Sequence, residues 1–243
     1  MTQAVIHRVT TLDLKVEPWA WRFSLERREE IEAHFAEQQR GKPTLWNGRI
    51  LLGRDASFAA GHLAASYFDA DFASLLAWRD WGCPDTTVFN GFGMGALRSA
   101  DGAFVLGEMG GHTANAGRIY FPSGSPDRDD VSDGVLDIAA SVAREVEEET
   151  GLSPADYRAE AHWDCVVAGA TIAMMRILDV DVPGAELKRR IEANLARQRQ
   201  PELSAIRLVR STAELTSAMP LFVTAFLESQ FGCDGQVTED GSP

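Results

Sequence analysis

The sequence predicts an α/β fold, because apolar extended segments alternate with amphipathic helical segments along most of the chain. The longest extended segments are predicted at 88–97 and 171–180, and the most regular helices at 26–39 and 185–198. Of the 243 residues, 45% are hydrophobic and 24% are charged. This composition is that of an ordinary globular protein of one or two domains, which can bury a core without disulfides or a structural metal.

The first third of the chain is predicted as a strand–helix–strand–helix unit. Short apolar and polar alternations predict strands at 4–9 and 14–19, and Ile31 and Phe35 give the helix at 26–39 one apolar edge.

Two local signals complete this unit. Asn47-Gly48 is a turn signal inside a strand-like segment at 44–52, and Asp69 stands where it can cap a helix that continues to Arg79. We expect residues 1–84 to pack on the rest of the chain as an N-terminal extension rather than to fold alone.

The remaining two thirds alternate between strands and helices around one polar loop. The predicted elements are strands at 88–97 and 103–106, a glycine-rich stretch at 107–117, a strand at 118–121, a polar loop at 122–133, a helix at 134–150, strands at 162–167 and 171–180, a helix at 185–198, a strand at 205–209 and a helix at 220–231. Gly151 stands where a helix C-terminus favours glycine. The polar tail at 232–243 is expected to be disordered.

The charge of the chain argues against partners that are polyanions. Lys and Arg total 23 and Asp and Glu total 36, so the net charge is −13. This excess repels nucleic acid and anionic membranes, and no long basic run offsets it, so we expect neither as a partner. An anionic ligand would need a metal ion between two parties of like charge.

Cysteine usage and hydropathy favour a cytoplasmic protein. The three cysteines are widely spaced with no Cys-x-x-Cys pair, which indicates reduced thiols. Residues 1–16 lack the apolar stretch of a signal peptide, and the longest apolar run, at 165–175, is far short of the roughly 18 residues of a membrane span.

The segment 144–152, with the order Arg-Glu-Val-Glu-Glu-Glu-Thr-Gly-Leu, carries the strongest chemical signal. On a helix with about 100° per residue, Glu149 lies about 40° to one side of Glu145 and Glu148 about 60° to the other. Glu147 lies near the opposite face, at about 200°. Three carboxylates therefore share one stripe of the helix.

Such a stripe disfavours the helix that carries it. Like charges three or four residues apart, and acids in the last turn, together cost about 1–3 kcal/mol. One interpretation is a solvated acidic helix end, because Glu-rich helices are common. The other is a site for a hard divalent cation such as Mg²⁺, which prefers carboxylate oxygens.

The region from Phe121-Pro122-Ser123-Gly124 to Leu152 resembles the signature of the Nudix hydrolases. Its second half matches the family pattern R-E-U-x-E-E-x-G-U, where U is apolar. The first half departs from the pattern: Leu136 stands where the family has Glu, with Asp137 beside it, and the loop is about six residues longer. The departure leaves the loop geometry and the role of Asp137 open.

A weaker resemblance extends to the first half of the chain. Leu45-Trp46-Asn47-Gly48, followed by Tyr67, Phe72 and Trp78, is similar to the branch of the family that hydrolyses UDP-sugars such as UDP-glucose. Trp46 and Trp78 also fit a role as ordinary core aromatics.

The resemblance implies both an architecture and an activity. The architecture is the Nudix α/β/α sandwich with a mixed sheet over 85–231, an N-terminal α/β extension at 1–84 and a disordered tail at 232–243. The activity is Mg²⁺-dependent, or Mn²⁺-dependent, hydrolysis of the diphosphate in a nucleoside diphosphate linked to another moiety. A nucleotide sugar such as UDP-glucose would give nucleoside monophosphate and sugar phosphate.

The resemblance also assigns roles. Glu145, Glu148 and Glu149 map onto the family's metal ligands, and Arg144 maps onto the arginine that orients one of them. The general base is either a glutamate of this helix or an acid of a later loop, for which Glu202 is the candidate.

Three further residues are candidates for substrate contact: Arg118, His112 and Gly124. Each has an ordinary alternative as a surface or turn residue. The competing functions are a non-catalytic nucleotide-binding module and a hydrolase of ADP-ribose or a dinucleotide. A homodimer is common in the family.

Overall fold

The computed structural model describes residues 3–233. This part of the chain forms thirteen strands and six α-helices: β1 (Val5–Val9), β2 (Thr11–Val16), α1 (Arg22–Glu26), α2 (Arg28–Gly41), β3 (Arg49–Ala59), β4 (His62–Asp71), α3 (Phe72–Asp80), β5 (Val88–Ser99), β6 (Phe104–Met109), β7 (Ile119–Tyr120), β8 (Val131–Ser132), β9 (Val135–Leu136), α4 (Ile138–Thr150), β10 (Arg158–Ala159), β11 (Trp163–Ala168), β12 (Thr171–Val180), α5 (Gly184–Leu195), β13 (Leu203–Val209) and α6 (Leu221–Cys233).

The strands form one mixed sheet with the order β1-β11-β12-β5-β3-β4-β2-β9-β8, while β10 pairs with β12 and a branch β13-β6-β7 starts from β5. The longest ladder is the parallel pairing of β12 with β5, from Thr171 opposite Asn90 to Val180 opposite Ser99. Strand β1 adds to the edge of β11, and β3 joins the sheet through the start of β5. Strands from the first third are therefore part of the same sheet as those from the rest of the chain.

Helix α4 lies directly on β5 because glycines leave room for it. A Cβ at Gly93 would lie 2.5 Å from Cγ2 of Val142, and one at Gly95 would lie 2.4 Å from Cγ2 of Val146. Neighbouring residues of a strand face opposite sides, and Phe92 packs against Phe222 of α6. The sheet thus has α4 on one face and α6 on the other, which confirms the predicted mixed sheet between helices.

A second hydrophobic cluster lies under the N-terminal helices. Phe23 of α1 and Trp78 of α3 pack there with Leu52 of β3 and Phe68 of β4. The neighbouring Leu51 faces the other way and belongs to the main core. Strands β3 and β4 therefore have helices on one side and the main core on the other. The division of the chain at residue 84 stays a prediction.

The segment 44–52 differs from its prediction. Residues 44–48 form a loop, and β3 begins at Arg49. The side chain of Asn47 is used elsewhere, since its Oδ1 accepts a hydrogen bond from the backbone N–H of Ala73 at 2.8 Å. Strand β4 was not predicted, and the cap of α3 is Asp71 rather than Asp69.

The predicted helix at 134–150 begins later, at Ile138. Residues 131–136 form a small hairpin, whose turn is made by Asp133 and Gly134 with φ of 51° and 77°. An Asp-Gly pair favours such a turn, so the local preference for a hairpin outweighed the helical periodicity of these residues. Helix α6 extends to Cys233, and the rest of the predicted tail, 234–243, lies outside the described residues.

In the described part of the chain no helix has the length and apolar character needed to cross a membrane.

Candidate active site

The predicted site residues surround a cavity of about 1300 Å³. Its walls come from the loop before β3, from β5, from the glycine-rich loop after β6 and from α4. Seven of the eight predicted residues line it: His112, Arg118, Gly124, Arg144, Glu145, Glu148 and Glu202. The eighth, Glu149, is buried next to the wall.

The helix that carries four of these residues has defined ends. The Asp137 side chain accepts a hydrogen bond from the N–H of Ala140 at 3.0 Å, which satisfies a free donor of the first turn. Gly151 ends the helix with φ of 77°, and its N–H donates to the carbonyl of Glu147 at 2.8 Å. Val142 and Val146 fix the rotation of the helix on β5 and thereby the direction of its acidic stripe.

Glu149 is a buried carboxylate with an incomplete set of partners. The residue is 5% exposed, and its Oε1 accepts only a long hydrogen bond, 3.4 Å, from the N–H of Ser123. Its Oε2 is buried and has no hydrogen-bond partner within the described residues. Burial raises the pKa of this carboxyl well above its usual range, and the negative charges of Glu145 and Glu202 add to the rise.

Glu145 lies at the cavity wall, where its side chain is 13% exposed. It packs so closely on Gly124 that a Cβ there would lie 2.2 Å from its Oε1, so only glycine fits at position 124 without a shift. Burial raises the pKa of the Glu145 carboxyl to about 7, although the positive charge of Arg144 opposes the rise. The negative charges of Glu148 and Glu202 add to it.

Arg144 is held in place from two sides. Its Nη1 donates to Oε1 of Glu145 at 2.6 Å, and its Nη2 donates to both carboxylate oxygens of Asp130 at 3.0 and 3.1 Å. Its contact with Glu148, the ordinary alternative for this arginine, is longer at 3.9 Å. Arg144 thus connects the polar loop before α4 to Glu145.

Asp130 is the partner that the sequence did not reveal. It is 6% exposed, and its Oδ2 also accepts hydrogen bonds from the Ser141 hydroxyl and from the N–H of Asp127, each at 3.1 Å. The capping box from Asp127 to Asp130 is the local signal, and it marks a turn rather than a contact with Arg144. Leu136, where the family pattern has Glu, is buried in the core.

The other two acids lie at the solvent side of the cavity. The Glu148 side chain is 62% exposed, on the same stripe as Glu145, while Glu147 faces solvent away from the cavity lining. Glu202 lines the opposite part of the cavity just before β13, where its carbonyl accepts from the N–H of Gly110 at 2.7 Å. Glu202 lines the same cavity as Glu145, and its negative charge adds to the raised pKa of Glu145 and Glu149.

Arg118 and His112 lie on the wall formed by the glycine-rich loop. Arg118 donates from Nη1 to the carbonyl of Ser217 at 3.3 Å, and the carbonyl of His112 accepts from the hydroxyl of Thr44 at 3.3 Å. The structure brings both residues to the cavity, and their contact with a substrate stays a prediction.

The donor set at this wall fits a hard divalent cation. Within residues 3–233 no group of three or more His, Cys, Asp or Glu side chains is already closed around one point. Nevertheless Glu149 has an unpartnered buried oxygen beside Glu145, and Glu148 follows on the same stripe. Unpartnered, buried carboxylate oxygens are the ligands that Mg²⁺ and Mn²⁺ prefer.

Comparison with known proteins gives only distant likenesses. No protein-family model matches the chain, and no curated protein matches it. Its structure is similar to that of a Nudix hydrolase from M. Smegmatis, RenU, at 12% identity and a TM-score of 0.39, over 63% of this chain and 88% of that one. It is also similar to the MutT protein from Methanosarcina mazei Go1, at 18% identity and a TM-score of 0.36, over 61% of this chain and 96% of that one. Inferences about the function of this chain therefore rest on its own residues.

Proposed function

We propose that this protein is a Nudix-type hydrolase that cleaves the diphosphate of a nucleoside diphosphate linked to another moiety, with Mg²⁺ or Mn²⁺ as its cofactor. The leading substrate class is a nucleotide sugar such as UDP-glucose. Residues 85–231 form the catalytic part in this proposal, and residues 1–84 form an extension that completes the cavity.

The observation that carries the proposal is a pair of carboxylates at the cavity wall, of which Glu149 is buried and Glu145 is largely buried. Glu149 has an oxygen without a partner, and Glu145 has a pKa raised to about 7 by burial. Burying charge in this way costs stability, so its presence beside a large cavity indicates a role in chemistry rather than in folding. The Arg-Glu-x-x-Glu-Glu order supplies the same residues from the sequence.

Glu145, Glu148 and Glu149 would hold the metal. When bound, it would neutralise charge on the diphosphate and polarise the bond to be broken. The net charge of −13 favours a bound cation, because the protein as a whole repels an anionic substrate.

The reaction is a hydrolysis in which all atoms are supplied by substrate and water. Water adds to one phosphorus, the bond from that phosphorus to the bridging oxygen breaks, and the bridging oxygen leaves with the second phosphate. The proton that the water loses passes to a carboxylate, for which Glu202 is our candidate because it lines the same cavity as Glu145. The products are a nucleoside monophosphate and a phosphate ester.

Arg144 acts through its neighbours in this proposal. It holds Glu145 at 2.6 Å while Asp130 fixes its other nitrogen. Arg118 and His112 lie where they can contact phosphate or sugar oxygens across the cavity.

The non-catalytic alternative rests on Leu136, which replaces an acid of the family pattern. In this chain Arg144 nevertheless has a buried carboxylate partner, because Asp130 reaches it from the longer loop. Arg144 is therefore held in place although Leu136 replaces the family's Glu, which favours the proposal that the protein is a catalyst.

A substrate screen tests the proposal. The full chain is incubated with UDP-glucose, ADP-ribose, a dinucleotide and nucleoside triphosphates, each with Mg²⁺, with Mn²⁺ and with EDTA, and products are separated by chromatography. We expect metal-dependent release of a nucleoside monophosphate from a diphosphate-linked substrate. Hydrolysis in ¹⁸O-labelled water then identifies the phosphorus that is attacked.

Two results would change the conclusion. If ADP-ribose or a dinucleotide is hydrolysed faster than UDP-glucose, the proposed activity stands and the proposed substrate class must be replaced. Nucleotide binding without any product after long incubation with either metal would show a binding module instead.

A further inference from the structure

The loop at 42–48 presents an aromatic side chain to the cavity that the proposed reaction does not use. Trp46 is 77% exposed, more than any other large hydrophobic residue in the part of the chain that the structure describes. It lines the same cavity as Glu145 and Glu202. Ligand cavities are commonly lined by aromatic side chains, so an indole exposed on a cavity wall lies where a bound ligand can cover it.

Hydrogen bonds join the loop that carries Trp46 to the glycine-rich loop after β6. The ammonium of Lys42 donates to the carbonyls of Thr113 and Ala114 at 2.7 and 3.1 Å. The hydroxyl of Thr44 donates to the carbonyl of His112 at 3.3 Å. These contacts join the loop to the glycine-rich loop, so its path is set by several hydrogen bonds.

The position of the indole is fixed as well. The Gly48 carbonyl accepts from the N–H of Phe72 at 2.9 Å, and the side chain of Asn47 accepts from the N–H of Ala73 at 2.8 Å. A Cβ at Gly48 would lie 1.8 Å from Cζ3 of Trp46, so the six-membered ring of the indole occupies the space beside this glycine. Trp46 therefore has a support on one side and remains open on the other.

We infer that Trp46 is the platform on which a planar heteroaromatic ring, the nucleobase of the nucleoside diphosphate, stacks. This inference rests on the proposed function and names the part of the molecule that selects the substrate. It places base recognition in the N-terminal segment, while the chemistry lies on α4.

Two observations support a base rather than another apolar group. The cavity of about 1300 Å³ is larger than the roughly 300–1000 Å³ of common ligand sites, so it has room for a nucleoside and a second moiety beside the diphosphate. Asn90 lines the same cavity, and its buried Oδ1 has no hydrogen-bond partner within the described residues. A nucleobase has both a flat face for an indole and N–H groups for an amide oxygen.

Binding of small probes tests this inference without turnover. UMP, AMP and ribose 5-phosphate, which lacks a base, are titrated calorimetrically into the wild-type chain, Trp46→Ala and Trp46→Phe. Because stacking on an aromatic residue strengthens binding about 5- to 150-fold, we expect Trp46→Ala to weaken binding of the better-bound nucleotide by a factor in this range. Ribose 5-phosphate should bind equally to the wild-type chain and to Trp46→Ala. Trp46→Phe should keep most of the affinity for the nucleotide.

Leu25→Ala is the matched control, because Leu25 is also an exposed apolar residue, at 61%, and does not line the cavity. It should leave the binding of every probe unchanged. Thermal unfolding of each variant confirms that the fold is retained.

The outcomes separate the inference from the proposed function. Nucleotide binding that depends on Trp46 in a protein without hydrolytic activity would support the inference and contradict the function. Hydrolysis with unchanged KM and unchanged nucleotide affinity in Trp46→Ala would contradict the inference and support the function. The inference would also be overturned if the wild-type chain did not bind nucleotides. It would likewise be overturned if Trp46→Ala lost self-association but still bound nucleotides as the wild-type chain does.

Discussion

Two walls of the same cavity are built in opposite ways. The wall formed by α4 holds Glu145 and Glu149 in a buried position, close to each other's charge, with one carboxylate oxygen unpartnered. The wall formed by residues 42–48 holds an exposed indole on a loop whose polar groups are paired with backbone carbonyls.

The comparison indicates that electrostatic repulsion is concentrated on the wall formed by α4. Burying carboxylates that repel each other opposes folding, so the α4 wall lowers stability in exchange for reactive groups. An exposed ring on a loop with paired polar groups costs the fold little. We therefore expect stability and activity to change in opposite directions when an acid of the α4 wall is neutralised, and to be separable on the other wall.

The largest effect is expected for Glu149→Gln, which removes one charge and keeps the shape of the side chain. We expect kcat to fall at least about tenfold, because Glu149 is a metal ligand in the proposed function. Glu147→Gln, an exposed neighbour on the same helix, is the control and should keep full activity. A fully active Glu149→Gln variant would refute the ligand assignment.

Next in size is the effect of filling the contact between α4 and β5. In Gly95→Ala the new Cβ would lie 2.4 Å from Cγ2 of Val146, so the helix must move outward. Such overpacking costs about 1–3 kcal/mol of unfolding free energy, measured by urea denaturation, and kcat should fall with it. Gly41→Ala, with no atom within 4 Å of the added Cβ, is the control and should not be destabilised. Equal stability of both variants would show that the contact is not tight.

A smaller effect is expected from Asp130→Asn, which weakens the hold on Arg144. We expect kcat/KM to fall about three- to tenfold and the metal concentration for half-maximal rate to rise, since Arg144 then holds Glu145 less firmly. Asp129→Asn, an exposed neighbour in the same turn, should behave as wild type. Unchanged metal dependence in Asp130→Asn would confine Asp130 to a structural role.

The smallest effect concerns stability without metal. Because burial raises the pKa of Glu145 and Glu149, the folded chain binds protons more tightly than the unfolded chain. The contribution of these two carboxyls to the unfolding free energy in EDTA should therefore be fully present below the ordinary carboxyl pKa and should be lost as the pH rises through about 7. Thermal melts between about pH 5 and pH 8 measure this fall.

Glu149→Gln should reduce the fall and raise Tm at the upper end of this range, where each kcal/mol corresponds to about 2–4 °C. Glu147→Gln should leave the pH dependence as it is. A Glu149→Gln variant that melts lower than wild type at every pH would contradict the contrast between the two walls.

The acidic helix was readable from the sequence because its signals are local. The spacing of Glu145, Glu148 and Glu149 defines one stripe at 3.6 residues per turn, and Gly151 marks the helix end. The contacts of Asp130 were not readable, since its partner Arg144 is brought near only by the path of the loop. Strand β4 was missed because the register of its partners, β2 and β3, is set by pairing across the sheet.

The sequence by itself determined the α/β class, the helix with its acidic stripe and the negative net charge. Periodicity and spacing act over short distances along the chain, and charge follows from composition alone. Only the tertiary structure decided that Glu149 is buried with an oxygen unpartnered, that Asp130 supports Arg144 and that Trp46 shares a cavity with the acids. Each of these depends on segments far apart in the chain, whose positions follow from sheet pairing and helix packing rather than from neighbouring residues.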